Sequence, residues 1–268
     1  MLSYDNIRHR KVLELGVFLQ NELCTFCKMD NQIDIRVDTA QLKRVVSKKT
    51  YVCWIDIMGT KDTMLESIEK ASNFILRFHS FCIKAIKNKS KVKCYPLMDG
   101  AFITSTDFSA VRTVIASVFK DLAEVFLTED CFAHQFVVRG AIAYGDIVHG
   151  GNITDEICTD IANEDSYKSS LLFGLPMIQA YKSEKEAPPF GIYIHESART
   201  INGLQGRYYA WCNEERLRNQ LKENLTLYFN WCEKFSNYLK LDNEKINVYK
   251  KKVDEFFSNR NTTKDNFI

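Results

Sequence analysis

Tyr51-Val-Cys-Trp-Ile-Asp-Ile-Met-Gly59 is the stretch from which the rest of the chain falls into place. β-Branched and aromatic residues alternate through 50–57, as they do in a buried strand. The run ends on a carboxylate, Asp56, followed by Gly59-Thr60-Lys61. Downstream, Met64, Ile68, Ala71, Ile75, Phe78 and Cys82 recur at intervals of 4, 3, 4, 3 and 4. That spacing predicts one amphipathic helix of about 25 residues. Val92–Leu97 and Ala101–Ser105 then read as two strands joined across Met98-Asp99-Gly100, since Asp-Gly between apolar runs signals a hairpin.

A second helix is expected over 108–127, with Val111, Val114, Val118, Leu122 and Val125 inward. Gln135–Ala143 and Asp146–Val148 read as a further strand pair turning at Tyr144-Gly145. The order β-α-β-β-α-β is the ferredoxin-like, split βαβ plan: an α+β fold with one antiparallel sheet and helices on one face. Residues 151–170 are expected to be a loop with a short helix. Gly174-Leu-Pro176 then starts a helix that ends at Pro188-Pro189, and Phe190–His195 forms a last strand.

Outside this core, 5–28 read as a helix through Ile7, Val12, Leu15, Phe18 and Leu19, and 29–48 as a polar link with an extended piece at Ile33–Val37. Two helical stripes follow the core: Leu217, Leu221, Tyr228, Trp231, Phe235 and Tyr238, then Ile246, Tyr249, Val253 and Phe256. The expected organisation is therefore an N-terminal helix and linker (1–48), a core domain (49–200) and a C-terminal helical extension (201–268).

Bulk properties exclude several classes. With 46% apolar and 12% aromatic residues, 268 residues suffice for one core with appendages. A net charge of +2 gives no field that predicts nucleic-acid binding or membrane attraction. The densest basic run, Lys84, Lys87, Lys89, Lys91 and Lys93, reads as a solvated helix end and loop. No apolar stretch reaches the roughly 20 residues of a membrane span. The first residues lack a signal-peptide core, so nine cysteines are expected as free thiols in the cytoplasm. Cys24-Thr-Phe-Cys27 has no second pair to complete a zinc site.

The split βαβ plan makes the first and third strands neighbours and brings Asp56 towards the turn at Asp99. Aspartate is also a common hairpin residue, and Asp56 could cap the next helix. Two adjacent carboxylates, however, repel unless a cation bridges them or one is protonated. Hard oxygen ligands select Mg²⁺ or Mn²⁺, which work with a few carboxylates and substrate phosphates. The backbone N–H groups of Gly59 and Thr60 suit a triphosphate, although no GxxxxGK[ST] loop is present.

Four short segments, in order, resemble the class III nucleotide cyclases. Trp54-Ile-Asp-Ile-Met-Gly59 is similar to their first metal-binding strand, and Met98-Asp-Gly-Ala-Phe-Ile103 to the hairpin bearing the second metal aspartate. Val138-Arg-Gly-Ala-Ile-Ala-Tyr-Gly145 resembles their Arg-x-Gly strand. Phe173-Gly174 through Glu184, with the strand after Pro188, resembles their interfacial helix and strand. The likeness covers about 50–197. It departs where the family has an asparagine (Ile178), a transition-state arginine (Lys182), and the adenine-reading aspartate and lysine (Leu171 and Tyr95). Loss of the purine-reading pair, with Arg139-Gly140 and Ala180-Tyr-Lys-Ser-Glu184, brings the chain closest to the bacterial Pycsar pyrimidine cyclases.

The resemblance implies two metal ions, Mg²⁺ or Mn²⁺, on Asp56, Asp99 and the Ile57 backbone carbonyl. It implies Tyr95, alone or with Arg139, as the base contact, Lys182 or Arg139 of a facing subunit as the cation at the transition state, and a homodimer. The expected activity is conversion of UTP to cyclic UMP and pyrophosphate in antiphage defence, with a cyclic-nucleotide-sensing effector downstream. The alternatives are a degenerate cyclase-like domain that binds nucleotide without turnover, a cyclase using CTP or a purine nucleotide, and a nucleotidyl-transferring palm domain.

Overall fold

Strand β1 (Lys48–Ile57) runs through the middle of the sheet, buried from Thr50 to Ile55. It pairs antiparallel with β3 (Gly100–Ser105) on one side and β4 (Val138–His149) on the other. The computed structural model describes residues 45–154, 158–239 and 242–258, which belong to one compact unit, Val45–Ile268. The helix read over 5–28, the link and extended piece after it, and Cys24–Cys27 lie outside the described residues.

The strand order is β2-β3-β1-β4-β5, with β2 at Lys93–Leu97 and β5 at Leu172–Phe173. Up to β4 this is the split βαβ order. A sixth strand, β6 (Ile192–Ile194), lies parallel to β4. The fold is α+β, as the hydrophobic pattern requires. Tyr51, Cys53, Ile55 and Ile57 pack into the main core with Phe74 and Phe78 of α2 (Ile68–Ile86) and Phe119 and Phe126 of α3 (Phe108–Thr128). Burying each of these phenylalanines contributes about 1.5–3 kcal/mol. Val52, Trp54 and Phe102 form a smaller cluster with Ala180 of α6 (Leu175–Ser183), so the opposite face is only partly covered.

Four expectations are corrected. The single helix of about 25 residues expected through Met64 and Cys82 is two, α1 (Thr60–Glu66) and α2, because Ser67 is extended and its Oγ accepts the Lys70 N–H at 3.1 Å as an N-cap. Met64 and Ile68 are consequently exposed, and Phe74 takes an inward place. Tyr144-Gly145 is not a turn: β4 is continuous because β1 pairs with it along its whole length, from Lys48 with Ile147 to Ile57 with Val138. Gly145 answers to packing there, since a Cβ would meet Pro176 Cγ at 2.9 Å. The hairpin link is Met98-Asp99 rather than Met98-Asp99-Gly100, with Met98 at φ +55° and Gly100 already paired with Leu97. Finally, Val125 is only half-buried, and Phe126 takes the inward place at that end of α3.

Between β4 and α6 lie two short helices, α4 (Thr159–Ala162) and α5 (Asp165–Ser170). After β6 come α7 (Glu196–Asn202), α8 (Glu215–Lys234), α9 (Ser236–Leu239) and α10 (Asn243–Ser258). Helix α8 buries Leu221, Leu225, Phe229 and Cys232 in the main core, with Tyr228 and Trp231 flanking them. Helix α10 adds Ile246, Val253, Phe256 and Phe257. Phe235, at the end of α8, is exposed.

Candidate active site

Asp56 stands between Gly100 of β3 and Arg139 of β4 in the register of the sheet. It shares its face with Val52 and Trp54, by the two-residue period of a strand, and is half-buried. Its carboxyl is raised to about 7, first by burial and then by the charges of Asp99 and Glu184, with Arg139 opposing them. Asp56 and Asp99 are thus close enough for the Asp99 charge to disfavour ionisation of Asp56. A cation between them would relieve that repulsion, and carboxylate oxygens are the donors that Mg²⁺ and Mn²⁺ prefer. The residues fit such an ion. Among the described residues no group of three or more His, Cys, Asp or Glu side chains is arranged as a ready-made metal cage.

The turn after Asp56 is stiff. Gly59 adopts φ +78° and caps α1, and its carbonyl accepts the Thr63 N–H at 3.1 Å. The Thr60 hydroxyl, buried, donates to the Ile57 carbonyl at 2.9 Å. That oxygen retains a second lone pair, so it can still serve a metal. The hairpin is held from behind by α2, where His79 Nε2 lies 3.0 Å from the Gly100 carbonyl. A cavity of about 380 Å³ opens beside Met58-Gly59 and is walled by Tyr228, Lys245 and Tyr249 of α8 and α10.

The two candidate cations differ in availability. Arg139 Nη2 donates to Glu184 Oε1 at 3.0 Å, and its Nε also meets that carboxylate. The Tyr249 ring centroid lies 5.9 Å from the guanidinium. Lys182, in the last turn of α6, is exposed. Tyr95 is on the edge strand, on the same face as Phe102 and Trp54, and its hydroxyl lies 2.7 Å from His149 Nδ1.

Three residues at these positions were not singled out from the sequence: His149, Tyr249 and Lys252. His149 closes β4, and its place beside Tyr95 follows only once that strand is continuous. Tyr249 was read as one position of an apolar stripe. Lys252 is one of three consecutive lysines, yet its ammonium donates to the Lys185 and Glu186 carbonyls and ties α10 to the segment after Glu184.

A pH dependence follows from Asp56. In the metal-free fold its carboxyl holds a proton that the unfolded chain releases near the usual carboxylate value. The stability this group contributes is complete below that value, declines as pH rises, and is lost above about 7. Asp56→Asn is therefore expected to be more stable than the unsubstituted protein at pH 8 by up to about 4 kcal/mol. The gap should shrink towards pH 5. Equal gaps at both pH values, measured by denaturation in EDTA, would contradict the assignment.

No protein-family model and no curated protein matches this chain. Solved structures with a similar arrangement include a bacterial light-regulated adenylyl cyclase, 14% identical over 76% of this chain, with a TM-score of 0.48. This chain spans 60% of that protein's length. An adenylate/guanylate cyclase/hydrolase from Silicibacter pomeroyi is 14% identical over 59% of this chain and 81% of its own, with a TM-score of 0.45. The adenylyl cyclase CyaB from P. aeruginosa is 12% identical over 60% and 83%, also at 0.45. At such identities and scores the functional conclusion rests on the site's own residues.

Proposed function

We propose that this protein is a nucleotide cyclase that converts a nucleoside triphosphate, UTP foremost, to a 3′,5′-cyclic monophosphate and pyrophosphate. The observation that carries the proposal is the meeting of Asp56 and Asp99 beside a stiff Gly59-Thr60 turn, with the Asp56 carboxyl raised to about 7. In the reaction the ribose 3′-oxygen bonds to the α-phosphorus as the bond to the pyrophosphate oxygen breaks, and the hydroxyl proton is released. Mg²⁺ or Mn²⁺ bound at Asp56, Asp99 and the Ile57 carbonyl would acidify that hydroxyl and offset the phosphate charge. The chain's own task is positioning. Asp56 and Asp99 hold the reacting end, Gly59 and Thr60 border the phosphates, and Tyr95 faces the base. Lys182 is the better placed of the two cations, because Arg139 is already paired with Glu184. As a point charge without arginine's fork, it suits a slow enzyme.

The exposed apolar residues Leu175, Ile178 and Tyr181 on α6, with Phe173 before it, support pairing with a second copy, through which Lys182 would reach the neighbouring site. No helix among the described residues is long and apolar enough to cross a membrane, and the proposed location is the cytoplasm. The proposed setting is antiphage defence, with an effector that senses the cyclic product.

The deciding experiment incubates the protein with each of the four triphosphates and Mn²⁺ and identifies products by mass spectrometry. Cyclic UMP is expected as the main product. If no triphosphate yields a cyclic product, the second reading stands: a cyclase-like domain that binds nucleotide without turnover. The Arg139–Glu184 pair and the lysine at position 182 favour it.

A further inference from the structure

Tyr95, the proposed base contact, has a side-chain partner. Its ring stacks on His149 with centroids 6.0 Å apart and 22° between the planes. The curl of the sheet brings these two side chains together across β3 and β1, with the phenol oxygen 2.7 Å from the imidazole Nδ1. The imidazole is half-buried, and Lys93 and Lys48 face it, so it stays neutral down to about pH 4. Burial pushes the phenol up to about 12, so it keeps its hydrogen.

A neutral phenol and a neutral imidazole nitrogen make one hydrogen bond between them. The phenol is the better donor and the imidazole nitrogen the better acceptor, so the Tyr95 hydrogen goes to Nδ1. The phenol oxygen then has only lone pairs to offer a ligand. A base with a ring N–H, as uracil has at N3, satisfies it. With the phenol oxygen facing ring position 3, cytosine, whose only donor there is displaced to its 4-amino group, presents a bare N3, and lone pair would face lone pair. A site built to pair with an N–H rejects the analogue lacking it more strongly than an apolar pocket rejects a change of size.

We propose that His149 is a specificity-determining positioning residue: by accepting the Tyr95 hydrogen it makes that oxygen an obligate acceptor and selects uracil over cytosine. The proposal rests on the cyclase reading and on Tyr95 as the base contact. It goes beyond them in naming the partner that sets the polarity of the contact.

The test compares His149→Asn, which places a carbonyl acceptor near the position of Nδ1, with His149→Leu, which places none. The measurement is the ratio of kcat/KM for UTP to that for CTP. His149→Asn should stay within about threefold of the unsubstituted protein. His149→Leu should lose at least about tenfold of the UTP preference, because the freed phenol hydrogen can turn to cytosine N3. Adding Tyr95→Phe to His149→Leu should change the ratio no further than Tyr95→Phe alone. An active enzyme whose ratio is unmoved by His149→Leu overturns the role of His149 and leaves the cyclase reading intact. An unsubstituted protein that prefers CTP or ATP overturns it too. If no triphosphate is turned over, the cyclase reading fails separately, and the same variants are compared by calorimetric binding of UTP and CTP. Equal affinities, or no binding of either, then overturn the selection.

Discussion

Asp56→Asn and Asp99→Asn are each expected to lower the proposed cyclic-nucleotide formation by about a thousandfold or more in assays with Mn²⁺, with the protein still folded. The size follows from the several kcal/mol that a bound divalent ion contributes to such a transition state, at about 1.4 kcal/mol per tenfold in rate. Asparagine keeps the shape of the side chain but halves its oxygen donors and removes its charge. Loss through unfolding is not the expected outcome for Asp56, since neutralising a carboxyl raised to about 7 relieves a cost of the metal-free fold. Activity and stability should therefore move in opposite directions at pH 8, an outcome that misfolding cannot imitate. Circular dichroism and denaturation beside the mass-spectrometric assay supply both measurements. An Asp56→Asn protein with full activity in Mn²⁺ would remove the basis of the metal assignment.

Gly100→Ala is expected to destabilise the fold by about 3 kcal/mol, the upper part of the range for overpacking. A Cβ at position 100 would sit 2.2 Å from two ring carbons of Trp54 and 2.8 Å from the Ile55 carbonyl. The indole is 3% exposed and wedged between Phe102 and Tyr181. The carbonyl is backbone of the central strand. Neither neighbour can give way cheaply. Since Gly100 begins the strand that leaves the Met98-Asp99 turn, relief would tilt the hairpin away from β1 and carry Asp99 from Asp56. Activity should fall more than the fraction unfolded explains. Urea denaturation gives the stability, and an unchanged midpoint would show that Trp54 has room to move.

The fold was legible because its strongest patterns are local. Alternation through 50–57, helical spacing through 71–82 and the Asp-Gly signal suffice to lay out split βαβ. Errors arose where a local signal had two uses. Ser67 reads as an ordinary helical residue until its hydroxyl is seen capping α2. Gly145 reads as a turn residue although it answers to Pro176. Asp99-Gly100 marks the hairpin correctly but not its two turn residues, since Gly100 is required by Trp54 rather than by the turn. The carboxylate pair was found because strand order alone brings the ends of β1 and the hairpin together. His149 and Tyr249 were not, because their contacts with Tyr95 and Arg139 depend on sheet curl and on how α10 docks, which leave no spacing in the sequence.

The central place of β1 also sets when in folding the chemistry can arise. The β2–β3 hairpin is local and can close within microseconds, so Asp99 reaches its turn early. Asp56 acquires its neighbours only when β1 inserts between segments roughly forty and roughly eighty residues further along the chain, and such long loop closures are the slow steps of folding. The two carboxylates therefore meet late. A nascent chain cannot bring the two carboxylates of the proposed site together in the sheet before β4 has been made.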